Sequence, residues 1–131
     1  MKLAAIDIGS NSIKLVVVDA VSSESFSVIT REKETVRLGH ETLRDGHLSP
    51  EAIVRAAECI DRMRALAVSR GAQKVVAIAT ASVREADNQA EFLSTVRRMA
   101  GVKVEVLSGV EEARLIGLAA ARGCAPRSAG P

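Results

Sequence analysis

The chain has 131 residues, a length that suits one ordinary domain and is too short for two. Apolar residues make up 47% of it, yet Phe26 and Phe92 are its only Phe, Tyr or Trp residues, so aliphatic side chains must fill the core. The formal charge of +2 comes from interleaved acids and bases, and without aromatic stacking platforms this pattern argues against nucleic-acid binding.

Three strands are predicted in the first third of the chain. Two aliphatic runs, Leu3–Asp7 and Ile13–Asp19, are separated by Ile-Gly-Ser-Asn-Ser, which favours a tight turn between them. Phe26–Leu38 alternates only partly and carries charges that would be hard to bury. We therefore place this third strand at an edge of the sheet.

A long helix and a buried strand are predicted next. No helix or strand is assigned to the Gly-rich stretch Leu38–His47. Ser49 followed by Pro50 is typical of a helix start, and apolar residues recur at helical spacing until Gly71. The short, continuous apolar run Val75–Ala79 indicates a central buried strand.

The remaining pattern adds two helices and one strand. Asn88 can cap a helix that ends at Gly101, Val102–Leu107 forms a strand, and Ser108 starts a helix that reaches about Ala121. Three strands followed by helix, strand, helix, strand and helix is the order of a ribonuclease-H-like lobe. We predict an α/β fold over residues 1–122, with a five-stranded mixed sheet and helices on both faces, and a disordered tail over 123–131.

The turn between the first two strands is the first candidate site. An ordinary hairpin would need only Gly9 and Asn11. Phosphate binding would use the whole cluster, because the glycine allows close backbone approach while successive amides, with Ser10, Asn11 and Ser12, offer donors. Asp7, at the end of the strand, can hold a hydrated cation.

The second candidate site is Thr80–Arg84, directly after the central strand. Ligands of open α/β sheets bind beyond the carboxyl ends of the strands, so Ser82 and Arg84 should meet the first turn at one crevice. A guanidinium offers the bidentate fork that matches a phosphoryl group. The alternative is that Arg84 is a solvated helix residue.

The third candidate site is the start of the last helix. Ser108 and Glu111 have the spacing of a capping box, which leaves Glu112 without a capping role. Glu112 shares a helix face with the apolar residues Leu115, Ile116 and Ala119. An inward-facing carboxylate there can act as a general base, and the alternative is a first-turn acid favoured by the helix dipole.

In three strings, AAIDIGSNSIKLVV, ATASVREADN and VEVLSGVEEARLIGLA, the chain resembles the amino-terminal lobe of the exopolyphosphatase and guanosine pentaphosphate phosphatase (Ppx/GppA) family. That family belongs to the actin-like, sugar-kinase and heat-shock-protein ATPase superfamily. The similarity extends from about Lys2 to Ala121, and SGVEEARL is its most specific part.

The resemblance implies removal of the terminal phosphate of inorganic polyphosphate, or of the 5′ γ-phosphate of guanosine pentaphosphate, with a divalent cation such as Mg²⁺. It implies that Glu112 is the base, that Arg84 is the family's arginine after the central strand, and that residues 7–12 form the first phosphate loop. Family members continue into a second loop of the form Asp-Ile-Gly-Gly-Gly-Ser and a second lobe. This sequence ends at Pro131 without them, so we expect weak or no phosphatase activity from it alone.

Two other classes of function stay open. The chain could be a non-catalytic module that binds polyphosphate or an alarmone, or that pairs with a separate partner or with a second copy of itself through apolar surface. An actin-like ATPase or sugar kinase would share the first loop, but SGVEEARL argues against it. Without a membrane-length apolar run or a zinc-binding Cys pattern, we expect a cytoplasmic protein that is not bound to a membrane.

Overall fold

The computed structural model describes residues 1–22 and 25–121, so the predicted tail 123–131 lies outside the described residues. Five strands and five helices lie within these ranges. In chain order they are β1 Lys2–Ile8, β2 Ser12–Ser22, β3 Ser25–Thr35, α1 Leu38–Asp45, α2 Pro50–Ser69, β4 Lys74–Ala79, α3 Ala81–Arg84, α4 Gln89–Ala100, β5 Val104–Val106 and α5 Gly109–Ala121.

The strands form one mixed sheet in the order β3-β2-β1-β4-β5. β1 is central and pairs antiparallel with β2, where Ile8 lies opposite Ile13, and parallel with β4, where Ile8 lies opposite Ala79. β5 continues the parallel half beside β4. The predicted five-stranded sheet is confirmed, and β3 lies at an edge as expected. Because β1, β4 and β5 are parallel, their carboxyl ends meet at one edge of the sheet.

One face of the sheet carries the hydrophobic core. In β1, Ala4, Ile6 and Ile8 are buried and alternate with partly exposed residues, as a strand with one covered face requires. α2 and α4 pack together over this face. The apolar residues predicted at helical spacing in α2 are all buried: Ile53, Ala56, Ala57, Ile60, Met63 and Ala67.

The opposite face is only partly covered in the described part of the chain. The prediction of a central buried strand is right about the position of β4, which lies between β1 and β5, but wrong about its burial, because Val76 points to this face and is 44% exposed. Asp7 belongs to the same face, since it alternates with the buried Ile6 and Ile8. Glu112 of α5 lies close enough to Asp7 to raise its pKa, so α5 begins on this side. With α2 and α4 on the other face, helices flank both faces as predicted.

The helix termini follow the predicted signals with one exception. The Ser49 side chain accepts a hydrogen bond from the Ala52 amide at 3.1 Å, and α4 ends at Gly101, whose φ is 69°. Asn88 stands before α4 but does not cap it with its side chain. Its side-chain amide instead binds the backbone N and O of Leu48, at 3.0 and 2.8 Å, and so ties the loop before α2 to α4.

Two helices were not predicted. α1 occupies the Gly-rich stretch, where Gly39 and Gly46 weaken the helical pattern, and it ends at Gly46 with a φ of 77°. α3 is a single turn directly after β4. Both helices lie at the sheet edge where the candidate site residues were predicted. None of the described helices combines the length and apolar character that crossing a membrane requires.

Candidate functional site

The turn between β1 and β2 is held by its own carbonyl groups. The Gly9 amide donates to the Ser12 carbonyl at 3.0 Å. Contrary to the prediction, this amide is therefore not available to an anion. A Cβ at position 9 would lie 3.1 Å from the same oxygen, a tight contact that favours glycine in this turn. The amides of Ser10 and Asn11 donate to no other described group. Two of the predicted backbone donors therefore remain free for a ligand.

The same turn anchors the start of α1. The Asn11 carbonyl accepts hydrogen bonds from the amides of Val36 and Arg37 at 3.0 and 2.9 Å, and the Ser10 carbonyl accepts one from Gly39 at 2.7 Å. Gly39 packs so closely that a Cβ there would lie 2.7 Å from the Ser10 Cβ. The turn and α1 are thus held against each other as one wall.

A cleft of about 650 Å³ lies between this wall and α3. Three of the predicted binding residues, Ser10, Asn11 and Ser82, line it. Ser12 does not, because it is buried beneath the turn, where its hydroxyl lies 3.4 Å from the Asn11 side-chain amide. The crevice predicted between the first turn and the segment after β4 therefore exists, but of the two residues expected there from that segment only Ser82 lines it, and Arg84 does not.

Ser82 is the most unusual polar residue of the cleft. It is only 3% exposed, and its Oγ has no hydrogen-bond partner among the described residues. An unsatisfied buried hydroxyl destabilises a fold by about 1–3 kcal/mol. The Ser82 carbonyl accepts a bond from the Thr42 hydroxyl at 2.8 Å, which links α3 to α1. The hydroxyl of Ser82 is left for something other than the described protein groups.

Arg84 and Glu112, the two predicted catalytic residues, meet on the other side of α3. The Arg84 Nη1 donates to the Leu107 carbonyl at 2.9 Å and lies 3.4 Å from the Glu112 Oε1. Its Nη2 lies 3.8 Å from Glu85, beyond a direct hydrogen bond. The guanidinium is half-buried, so the alternative of a freely solvated arginine does not describe it. Neither Arg84 nor Glu112 lines the cleft of Ser82.

The position of Glu112 is set by the capping box that was predicted. The Ser108 amide donates to the Glu111 carboxylate at 2.9 Å, and the Glu111 amide donates to the Ser108 hydroxyl at 3.0 Å. The hydrogen bond from the Ser108 amide holds the pKa of Glu111 below its usual range. Glu111 thus fixes the start of α5, and the next residue reaches Arg84.

The predicted inward face of α5 is not seen where it can be checked. Leu115 is 49% exposed, and the side chains of Ile116 and Ala119 lie outside the described residues. Glu112 itself is 36% exposed. Glu112 is therefore held by Arg84 rather than by apolar packing along the helix.

Asp7 lies near Glu112 and completes this second group. Burial raises the pKa of Asp7, the nearby Lys14 opposes that effect, and Glu112 adds to it. Within residues 1–22 and 25–121, no group of three or more His, Cys, Asp or Glu side chains could hold a metal ion by itself. Mg²⁺ is often held by one or two carboxylates together with substrate phosphates and water. Asp7 fits a magnesium ion of that kind, shared with a bound phosphate.

Sequence reasoning missed the residues that α1 contributes to the cleft, chiefly Arg37, His40 and Thr42. Arg37 has a left-handed backbone, with φ 55° and ψ 45°, a conformation that costs roughly 1–2 kcal/mol for a residue with a Cβ. Two basic residues flanking a glycine after an edge strand were the available signal. Their meeting with Ser82 depends on tertiary contacts.

Comparison with known proteins gives a consistent result. The sequence pattern of the Ppx/GppA phosphatase family matches residues 16–130 of this chain. Exopolyphosphatase 1 of Mycobacterium leprae is 38% identical over 122 residues, covering 93% of this chain and 36% of that protein. The chain spans about a third of the length of the curated relatives it matches.

Solved structures of Ppx/GppA family proteins also resemble this chain. The crystal structure of the Aquifex aeolicus member of the Ppx/GppA family matches with a TM-score of 0.84 and 31% identity, over 93% of this chain and 40% of that one. A crystal structure of an exopolyphosphatase from Cytophaga hutchinsonii matches with a TM-score of 0.82 and 27% identity, over 88% of this chain and 36% of that one.

Proposed function

The chain belongs to the Ppx/GppA phosphatase family, and on that premise we propose that it forms one wall of a site that hydrolyses the terminal phosphoanhydride bond of inorganic polyphosphate. The observation that carries the proposal is the meeting of Arg84 with Glu112, beside Asp7. A carboxylate that can accept a proton and a guanidinium that can bind a phosphoryl group are the two parts that such a hydrolysis needs first.

Glu112 is the proposed general base. It takes a proton from a water molecule that attacks the terminal phosphorus in line with the leaving phosphate. Its carboxylate is partly exposed, so water can reach it, and the capping box holds it in place. General-base assistance of this kind contributes about a hundred- to ten-thousand-fold in rate.

Arg84 is the proposed ligand of the phosphoryl group under attack. Its Nη1 is held by the Leu107 carbonyl and Glu112, while its Nη2 has only the distant Glu85 carboxylate, at 3.8 Å, and can turn to a phosphoryl oxygen. The free amides of Ser10 and Asn11 lie on the neighbouring turn and can donate to further oxygens of the substrate. Fixed donors of this type stabilise the negative charge that spreads over the phosphoryl oxygens.

Asp7 is the proposed protein ligand of a divalent cation. Mg²⁺ bound with the substrate would neutralise part of its phosphate charge. Burial makes the ionised form of Asp7 less favourable and so raises its pKa, and a nearby cation would stabilise that ionised form.

Inorganic polyphosphate is proposed as the substrate rather than guanosine pentaphosphate because the curated relatives that this chain matches at 35–38% identity are exopolyphosphatases. Polyphosphate carries the terminal phosphoanhydride bond that Arg84 and Glu112 would act on.

The test is phosphate release by a complete protein that contains this chain together with the remainder of the family's length. Glu112→Gln should lower kcat for polyphosphate at least about a hundredfold while leaving binding intact. Glu111→Gln is the matched control, because it removes the neighbouring negative charge while a glutamine can still accept the hydrogen bond from the Ser108 amide and so keep Glu112 in place. Wild-type turnover by Glu112→Gln would show that Glu112 is not the base.

The same measurements separate catalysis from binding alone. The 131-residue chain by itself is expected to release little or no phosphate, since it spans about a third of its relatives. Calorimetry that detects polyphosphate binding by the complete protein, without any phosphate release, would favour the non-catalytic module instead.

A further inference from the structure

The cleft between the turn, α1 and α3 contains polar groups that the proposed hydrolysis leaves unused. We propose that this cleft is a second phosphate subsite, which binds the phosphate next to the one attacked, with Ser82 and Arg37 as its ligands. The inference rests on the proposed function, because a phosphate chain is the ligand that would reach both sides of α3.

The Ser82 hydroxyl is the first observation in favour. The residue is nine-tenths buried and lines the cleft, yet its Oγ bonds to no described residue. Folded proteins rarely leave a buried hydroxyl unpaired, and each exception calls for an explanation such as a functional role or a bound water or ion. A phosphate oxygen is an acceptor to which this hydroxyl can donate by rotating its hydrogen about the Cβ–Oγ bond.

The backbone of Arg37 is the second observation. Its left-handed conformation is unfavourable for a residue with a Cβ, and it is enforced by the hydrogen bond from its amide to the Asn11 carbonyl. This conformation begins α1 and places the residue at the cleft. Among the described residues, no carboxylate lies within ion-pair distance of its guanidinium. The positive charge is therefore available to an anion.

The rest of the lining is compatible with an anion. His40 adds a group that can donate, and the amides of Ser10 and Asn11 are free at the turn. Glu85 is the one carboxylate of the lining; it is largely exposed, and its nearest cation is Arg84 on the far side of α3, at 3.8 Å. The cleft thus offers donors on two walls.

The one-turn helix α3 explains how the two subsites would cooperate. Ser82 faces the cleft and Arg84 faces Glu112, although only one residue separates them in the chain. A linear phosphate chain that crosses the end of α3 would place successive phosphates on the two sides. The subsite would therefore make binding depend on the length of the phosphate chain.

The experiment is calorimetric titration of the 131-residue chain with tripolyphosphate. Ser82→Ala and Arg37→Gln should each weaken binding about tenfold, the effect of losing one hydrogen bond or ion pair to a charged ligand. Ser94→Ala and Arg98→Gln are the matched controls, because both residues are exposed on α4, and they should leave the affinity unchanged. Thermal unfolding of Ser82→Ala should occur at the wild-type temperature or above it, since the removed hydroxyl bonds to no described group.

Each outcome decides the proposal. Weaker binding without a loss of thermal stability supports the subsite, whether or not the complete protein hydrolyses polyphosphate. Equal binding by wild type and both variants, or no binding by wild type, overturns it. A marked fall in the unfolding temperature of Ser82→Ala also overturns it, because the hydroxyl would then have a structural role. Failure of the hydrolysis proposal is detected separately, as turnover that survives Glu112→Gln.

Discussion

The two sides of α3 differ in how far the protein itself satisfies their polar groups. On one side, Arg84 is held by the Leu107 carbonyl and Glu112. On the other, the Ser82 hydroxyl and the amides of Ser10 and Asn11 have no described partner. The first arrangement positions charged groups before a ligand arrives, whereas the second is completed only by a ligand. Substitutions on the two sides should therefore separate effects on turnover from effects on binding and folding.

The largest effect should come from the side of α3 on which Arg84 meets Glu112. In the complete protein, Arg84→Gln should reduce kcat for polyphosphate by about a hundredfold or more, because a fixed donor to the charge of the transition state is lost. Arg84→Lys should restore little of this rate, since an ammonium cannot provide the bidentate fork. Steady-state phosphate release by both variants is the measurement. A lysine variant with wild-type kcat would mean that only the charge of Arg84 matters.

An intermediate effect should come from the wall formed by the turn and α1, on the side of α3 that carries Ser82. Gly39→Ala places a Cβ 2.7 Å from the Ser10 Cβ, so α1 and the turn must move apart, with a loss of about 1–3 kcal/mol in the free energy of unfolding. Gly117→Ala is the control, because its added Cβ meets no atom of the described residues within 4 Å and alanine is the better helix former. Urea denaturation of both variants measures the difference. Equal free energies of unfolding for the two variants would show that α1 and the turn can move apart without cost.

The smallest effect should come from Asp7, which lies near Arg84 and Glu112 but, unlike Arg84, is disfavoured in its charged form by burial. Burial raises its pKa above the ordinary 3.8, so the folded chain favours the neutral acid. This residue therefore contributes stability at low pH, and that contribution is lost as the pH rises through the raised pKa. Asp7→Asn should be more stable than wild type at neutral pH, and the difference should shrink below pH 3.8. Thermal unfolding of both proteins across this pH range tests the sign.

The framework of the fold could be predicted because it depends on local patterns. The aliphatic runs became strands, and Ser49 and Ser108 start helices with the side-chain bonds expected of them. Ser82 and Arg84 were expected to meet the first turn at one crevice because both follow the carboxyl end of a parallel strand. Ser82 does so, whereas Arg84 contacts Glu112 instead.

What escaped prediction depends on contacts between distant segments. α1 is a helix despite Gly39 in its first turn, because it packs against the turn through that glycine. The Gly9 amide was expected to face an anion, but the Ser12 carbonyl takes it. The left-handed backbone of Arg37 and the unpaired hydroxyl of Ser82 likewise follow from tertiary packing, and no residue pattern in the sequence indicates them.

The central place of β1 has a consequence for biosynthesis. One edge of β1 can pair with β2 as soon as the first hairpin has left the ribosome, but its other edge waits for β4, whose last residue is Ala79. Until then the nascent chain exposes an apolar strand with unpaired amides and carbonyls, the kind of edge that invites pairing with other chains. Slow translation between the two strands would prolong that interval, so the yield of folded protein should be sensitive to how quickly the ribosome passes through α2.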